Sequence, residues 1–123
     1  MPPVFEDSDL KPGAHISAVG SYTPEMQETP PQTVKRARVI VDSRLAALVE
    51  SGDLIQPIRS GLFGKDHVYA ELGEIVLGLK PGRQSPEEIT FFKSVGIAVQ
   101  DALAAQLAVQ NARQFGLGQE VPF

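Results

Sequence analysis

With 123 residues, 42% of them hydrophobic, the chain is one domain or part of one, with enough apolar content for a core. It has no cysteine, which excludes disulfides and thiolate metal sites and fits a cytoplasmic setting. A net charge of −4 and no Lys/Arg patch with interleaved aromatics argue against a nucleic-acid partner, and no apolar run approaches the ~20 residues of a membrane helix.

The chain opens on an acidic, proline-rich segment unlike a signal peptide. Pro12-Gly13 is a turn, and Ala14 to Val19 reads as a strand ending at Gly20. Thr29, Pro30 and Gln32 have the pattern of an N-cap, a first helical residue and a capping-box partner, for a short helix ending near Arg36. Arg38 to Asp42 is a second buried strand. Ser43 can cap the helix that follows, with Leu45, Leu48 and Val49 on its apolar face and Gly52 as a left-handed C-cap. Leu54 to Asp66 carries Pro57, Gly61 and Gly64 and reads as a loop.

Leu72, Ile75, Val76 and Leu79 keep helical spacing and predict a helix over Tyr69 to Gly78, ended by Pro81-Gly82. Ser85-Pro86-Glu87-Glu88 is a capping-box sequence good for about one turn. Ile89 to Phe92, β-branched and aromatic, is a further strand. Ser94 has the character of an N-cap for a long Ala-rich helix ending at Phe115, with Gly116 as its C-cap. That helix is apolar on two sides: Val95, Val99, Ala102 and Val109 share one face, and Ile97, Leu103 and Leu107 make a second stripe. A helix of this kind wants protein on both sides, so a homo-oligomer is expected. Alternating strands and helices predict an α/β fold on a parallel sheet, but only two or three strands are recognisable.

The chemistry-bearing residues are few. With His15 and His67 as the two histidines, a histidine metal site or a Ser-His-Asp triad is not expected. The Gly-rich segments Ser60 to Lys65 and Gly116 to Gly118 match neither the phosphate loop nor the dinucleotide fingerprint in spacing. Glu71 and Glu74 read as a solvated acidic face. Two strand ends carry more. In open parallel sheets ligands lie beyond the carboxyl ends of the strands, where the turn Val19-Gly20-Ser21-Tyr22 falls, and Gly20 permits close approach of a ligand to the backbone. At Ser94, the N–H groups of a helix start and one hydroxyl offer a place for an anion. The plainer alternatives are an ordinary strand-to-loop turn and a well-capped strand–helix corner.

One ordered set of residues brings these pieces together. Gly13-Ala14-His15-Ile16-Ser17-Ala18-Val19-Gly20-Ser21, then Pro24 and Glu28, Val41-Asp42, Glu50-Ser51-Gly52-Asp53, Ala70-Glu71-Leu72-Gly73-Glu74, Gly82-Arg83, and Thr90 to Gly96 with Asp101 occur in one order. The chain thereby resembles the C-terminal portion of the ornithine cyclodeaminase/mu-crystallin family, from about Asp9 to Gly118. The resemblance implies a partial Rossmann-like parallel sheet with flanking helices and a long C-terminal helix. Residues 1–123 would be a single unit, with the Gly-rich half of an NAD(P)-binding domain lying outside it. It also implies NAD or NADP as cofactor, contacted by Val19, Gly20, Ser21 and Ser94. Val95 matches a substrate position, and Glu50 lies where mu-crystallin-like members place an acid near their ligand. Cyclodeaminases and the related alanine dehydrogenases carry a catalytic aspartate where this chain has Tyr22, and a lysine near Met26. A phenol holds its proton at neutral pH, so no catalytic residue of that type is intact. The resemblance therefore implies an NAD(P)-dependent oxidoreductase of the imine or keto-acid reductase kind, acting on a small amino or imino acid and inactive as this segment alone. Ornithine cyclodeamination proper and a non-catalytic dimeric ligand-binding or interaction module are the alternatives.

Overall fold

The structure, a computed structural model, describes residues 2–122. After a 3-10 turn at Asp7–Asp9 the elements run β1 (His15–Ala18), α1 (Pro31–Arg36), β2 (Arg38–Val41), α2 (Arg44–Glu50), α3 (Gly52–Arg59), β3 (Val68–Glu71), α4 (Leu72–Val76), β4 (Thr90–Lys93) and α5 (Ala98–Phe115). The four strands form one parallel sheet in the order β1-β4-β2-β3, as the α/β expectation requires.

Strand alternation sends Ile16, Ala18, Val39, Val41, Val68 and Phe91 to one face, where they meet Val34 of α1, Ala47 of α2 and Leu54 and Ile58 of α3. Phe91 and Leu54 are wholly buried, each contributing roughly 2–3 kcal/mol of apolar burial. The opposite face is barely covered. There His15, Ile40, Thr90 and Phe92 floor a cavity of about 510 Å³, walled by Leu72 and Ile75 of α4 and by Gly82 and Arg83. The Arg83 guanidinium ties this side together, donating to the carbonyls of Gly13 at 2.6 Å and Glu88 at 2.7 Å and to the Thr90 hydroxyl at 3.0 Å. Leu72, Val76, Leu77 and Leu79 are exposed beside it.

Several local expectations are corrected. The fourth strand, β3, takes Val68 to Glu71 out of the expected helix over Tyr69 to Gly78; Val68 and Ala70 are buried alternately, and the helical spacing begins in earnest only at Leu72. Glu71 and Glu74 are not a solvated face but a cap. The Glu71 N–H donates to Glu74 Oε2 at 2.8 Å, and Glu71 Oε1 accepts from the Arg44 N–H at 2.7 Å. Gly52 is not a left-handed C-cap; it opens α3, in the stretch read as a loop from Leu54, and Ser51 flanks it as N-cap. A Cβ at Gly52 would collide with the Met26 and Pro24 carbonyls, so close approach of the chain, not positive φ, is what requires glycine there. Pro57, the residue that suggested a loop, sits inside α3, where the N–H it lacks would have bonded no further back than Asp53. Thr29 is buried and α1 is flanked by Pro30 with no side-chain cap, while Ser85 to Glu88 makes only a turn. Ser43 does cap α2, its hydroxyl accepting from the Ala46 N–H at 3.4 Å, and Gly116 ends α5 at φ 63°.

Helix α5 has no buried residue. Val99, Leu103, Leu107 and Val109 are each more than half exposed. Its first turn is flanked by Ile97, not by Ser94, because Gly96 at φ 86° breaks the chain direction between strand and helix. No helix among the described residues is long and apolar enough to cross a membrane.

Candidate functional site at the carboxyl edge of the sheet

Because all four strands are parallel, their carboxyl ends share one edge. Strands β1 and β4 are neighbours there, with Ala18 opposite Lys93, so the turn after β1 and the segment after β4 leave the sheet side by side. Val19, Gly20, Ser21 and Tyr22 come from the first, and Ser94, Val95 and Gly96 from the second. Val19 and Tyr22 are exposed at 66% and 59%, and Val95 is half-buried. Glu50 is exposed at the end of α2; two residues on, the Gly52 N–H donates to the Thr23 carbonyl at 3.1 Å, which brings the end of α2 against the segment after Tyr22.

Both strand ends carry the backbone geometry that receives an anion, and in both the anion is one of the chain's own carboxylates. At the β1 end, Glu28 Oε1 accepts from the N–H groups of Gly20 at 2.7 Å and Ser21 at 3.1 Å. At the β4 end, Asp42 Oδ2 accepts from the Ser94 hydroxyl at 2.7 Å and from the N–H groups of Val95 and Gly96, each at 3.0 Å. Ser21 is fully buried, and its hydroxyl donates to the Met26 carbonyl at 2.8 Å while accepting from the Asp53 N–H at 3.3 Å.

Beneath the β1 turn lies a buried charged cluster that the sequence reading did not single out. Lys93, with no exposed surface, places its ammonium 2.9 Å from Glu28 Oε1 and 3.4 Å from Asp53 Oδ2. Asp53, equally buried, accepts from the N–H groups of Glu28 at 2.9 Å and Thr29 at 3.0 Å through Oδ1. Its Oδ2 faces the ammonium off the hydrogen-bonding axis and has no donor of its own. Burial pushes Glu28 up, but the hydrogen bonds from Lys93 and from the N–H groups of Ser21 and Gly20 outweigh it, and the carboxyl is held below its ordinary value. At Asp53 burial wins over the N–H bonds and the Lys93 charge, and its carboxyl is raised. The sequence did carry a signal for Lys93: two residues after Phe91 in a period-2 strand, it must enter the same buried face.

Among the described residues no group of three His, Asp or Glu side chains could hold a metal ion. His15 instead bonds Thr90 Oγ1 at 2.8 Å, and His67 bonds the Val34 carbonyl at 2.8 Å.

The ornithine cyclodeaminase/mu-crystallin family model matches residues 1–115. A delta(1)-pyrroline-2-carboxylate reductase of Bacillus cereus is 48% identical over 122 residues, which is 98% of this chain and 37% of that protein. The delta(1)-pyrroline-2-carboxylate reductase of Thermococcus litoralis, solved in complex with NADH and L-proline, superposes with a TM-score of 0.88 at 42% identity, covering 97% of this chain and 37% of that one. An archaeal alanine dehydrogenase dimer with bound NAD gives a TM-score of 0.85 at 35% identity, over 99% of this chain and 38% of that one. The chain thus spans little more than a third of the length of these relatives, with the sheet order and flanking helices of a partial Rossmann-like unit. It belongs to the ornithine cyclodeaminase/mu-crystallin family.

Proposed function

We propose that this chain supplies the second half of the NAD(P)-binding domain of an imine or keto-acid reductase, and that the first half comes from sequence outside it. The observation that carries this reading is the pairing of β1 with β4, which sets Val19-Gly20-Ser21 and Ser94-Val95 on one rim of the sheet. The open sheet face beneath the 510 Å³ cavity and the unpaired side of β1 leave room for the complementary half.

The residues present fit one end of such a cofactor. The N–H clusters at Gly20-Ser21 and Val95-Gly96 already hold carboxylates, whose charge opposes a phosphate, so the pyrophosphate belongs to the complementary half. Exposed Val19 and half-buried Val95 offer an apolar seat, with the Ser94 hydroxyl beside them, for the uncharged nicotinamide end. When bound, NAD(P)H supplies hydride for reduction of a carbon–nitrogen double bond. Tyr22 and Glu50, both exposed near that rim, would orient the amino or imino acid. The dimer named for the archaeal relative and the bare apolar faces of α5 support a homo-oligomeric reductase as the complete form, and the lack of cysteine fits a cytoplasmic one.

The test is to express the complete reading frame that contains this segment and follow NADH oxidation with a five-membered cyclic imino acid. We expect reduction of the imine and no conversion of ornithine to proline. Efficient ornithine cyclodeamination would overturn the reductase reading while leaving the family intact. The non-catalytic reading, favoured by the bare helix α5, predicts dimerisation with no turnover.

A further inference from the structure

We propose that Lys93, Glu28 and Asp53 form a buried positioning unit that locks the β1 turn to the β4 end, so that Gly20-Ser21 and Ser94 keep a fixed relation at the rim. The inference rests on the reading of that rim as a cofactor seat. Lys93 and Asp53 are wholly buried, and the partly buried Glu28 spends its Oε1 on the Lys93 ammonium and on the Gly20 and Ser21 N–H groups; the three act through the backbone they hold.

The connections close on themselves. Lys93 is the residue immediately before Ser94, and its backbone carbonyl accepts from the Asp42 N–H at 3.3 Å, so its position is tied to the Asp42 cluster at the β4 end. Its side chain turns into the buried face and meets Glu28 at 2.9 Å. The same oxygen of Glu28 receives both N–H groups of the β1 turn. Glu28 is in turn held by its own N–H, which donates to Asp53 Oδ1, and Asp53 is held by the Ser21 hydroxyl through its N–H. A Cβ at Gly20 would strike the Glu28 carboxylate, so a side chain there would displace the carboxylate from the turn. Lys93 from β4 and Asp53 from α3 are the charged groups that face Glu28.

Two carboxyl groups face one ammonium, with Lys93 and Asp53 wholly buried and Glu28 partly so. An apolar packing of the same volume would hold the core at least as well, since buried ion pairs seldom exceed hydrophobic replacements in stability. What the ionic version adds is direction. A single oxygen fixed by an ammonium aims two N–H groups, and with them the Gly20–Ser21 peptide, at one orientation.

The experiment follows backbone amide resonances of the 123-residue chain across pH and with NADH added to several millimolar, comparing an Asp42→Asn parent, in which the acceptor of Val95 and Gly96 does not itself titrate, with Lys93→Met, Glu28→Gln and Lys93→Met/Glu28→Gln made in it. In the Asp42→Asn parent the Gly20, Ser21, Val95 and Gly96 amides should all respond to titration of Glu28. In Lys93→Met the Gly20 and Ser21 amides should respond at higher pH, and Val95 and Gly96 should fall silent. The double variant, which restores charge balance at Glu28, should recover a single sharp position for Gly20 and Ser21. NADH-induced shifts at Ser94 should weaken about tenfold in Lys93→Met and by less than about threefold in the double variant. Val95 and Gly96 amides of the Asp42→Asn parent that ignore Glu28 would overturn the proposal, as would Lys93→Met shifts identical to that parent. Should Lys93→Met not fold, Glu28→Gln decides alone: a displacement confined to the β1 turn, with Val95 and Gly96 unmoved, counts against the lock. If NADH moves neither segment while the coupling stands, the lock survives, and the cofactor reading is decided by NADH oxidation in the full-length protein.

Discussion

Ser94 donates its hydroxyl to Asp42 Oδ2 at 2.7 Å, and the same oxygen takes the next two backbone N–H groups, so the crossing from β4 toward α5 is wrapped around a carboxylate from β2. The other Asp42 oxygen receives the Ser43 N–H at 2.7 Å, which sets Ser43 to cap α2. One side chain therefore shapes two adjacent strand ends. Asp42→Ala leaves these donors without their acceptor. Hydrogen bonds to a charged group contribute about 1.5–3 kcal/mol, and partial exposure to water offsets part of that. We expect a loss of about 2 kcal/mol in urea denaturation, and less than about 1 kcal/mol for Asp42→Asn, whose amide oxygen still accepts.

The buried cluster gives an unusual pH profile. Glu28 is held below its ordinary value, so its stabilisation is complete above the unfolded pKa near 4.3 and drains as the pH falls from there through the lowered folded value. Asp53 has the opposite sign. Its raised carboxyl makes the folded chain take up a proton before the unfolded one does, so stability is gained as the pH falls through the raised value and is complete below the unfolded pKa. Thermal melts between pH 3 and 8 should show maximum stability on the acidic side of neutrality, with a steep fall below about pH 4. Asp53→Asn should remove the rise between neutrality and that maximum and leave the acid fall in place.

The exposed apolar residues of α5 make a third expectation. Leu103 and Leu107 are 60% and 57% exposed, so replacing both with Asp should alter the folding of a single chain by little, within about 0.5 kcal/mol per site. If the helix is the assembly surface, the same pair of changes should convert oligomers to monomers in sedimentation at tens of micromolar. A wild-type chain that sediments as a sharp monomer at that concentration would contradict the expectation.

Cofactor affinity is a fourth. The two N–H clusters with the geometry to receive a phosphate hold Glu28 and Asp42 instead. Binding of NADH to the 123-residue chain should therefore be no tighter than about millimolar, roughly −4 kcal/mol. Micromolar binding by calorimetry would mean that the chain holds a complete site.

The sequence showed β1, β2 and β4 because each places apolar residues against the sheet's packed face, and it showed the C-terminal end of α5 because Gly116 has a backbone need that only glycine meets readily, while Gly96 moved the start of α5 from Ser94 to Ile97. It hid β3, since Leu72, Ile75 and Val76 impose a helical period that spreads backward over Tyr69 and Ala70. It hid the start of α3, because Pro57 and Gly52 are breakers by propensity and only the close pass of the Met26 carbonyl explains the glycine. The two strand ends of the candidate site were legible from topology alone. Their occupants were not: Glu28 and Asp42 lie in other segments, and nothing local in the sequence says that a carboxylate will fold back onto a turn.

Under the proposed reductase reading, Tyr22 decides the chemistry. It lies on the exposed turn after β1, with 59% of its surface accessible, where the family resemblance implies an aspartate. Cyclodeamination needs a group there that activates water, whereas hydride transfer to a preformed imine needs orientation and a proton source. A phenol this open to solvent competes with water as a proton donor, so its larger contribution is to place the substrate against the apolar seat formed by Val19 and Val95. Tyr22→Phe in the full-length protein should raise KM several-fold and lower kcat by less than about tenfold, because the ring remains and only the hydroxyl is lost. Tyr22→Asp should reduce imine turnover further by placing a carboxylate beside an anionic substrate. A fall in kcat beyond about 100-fold for Tyr22→Phe, with a changed pH profile, would instead make the hydroxyl the proton donor to the substrate nitrogen.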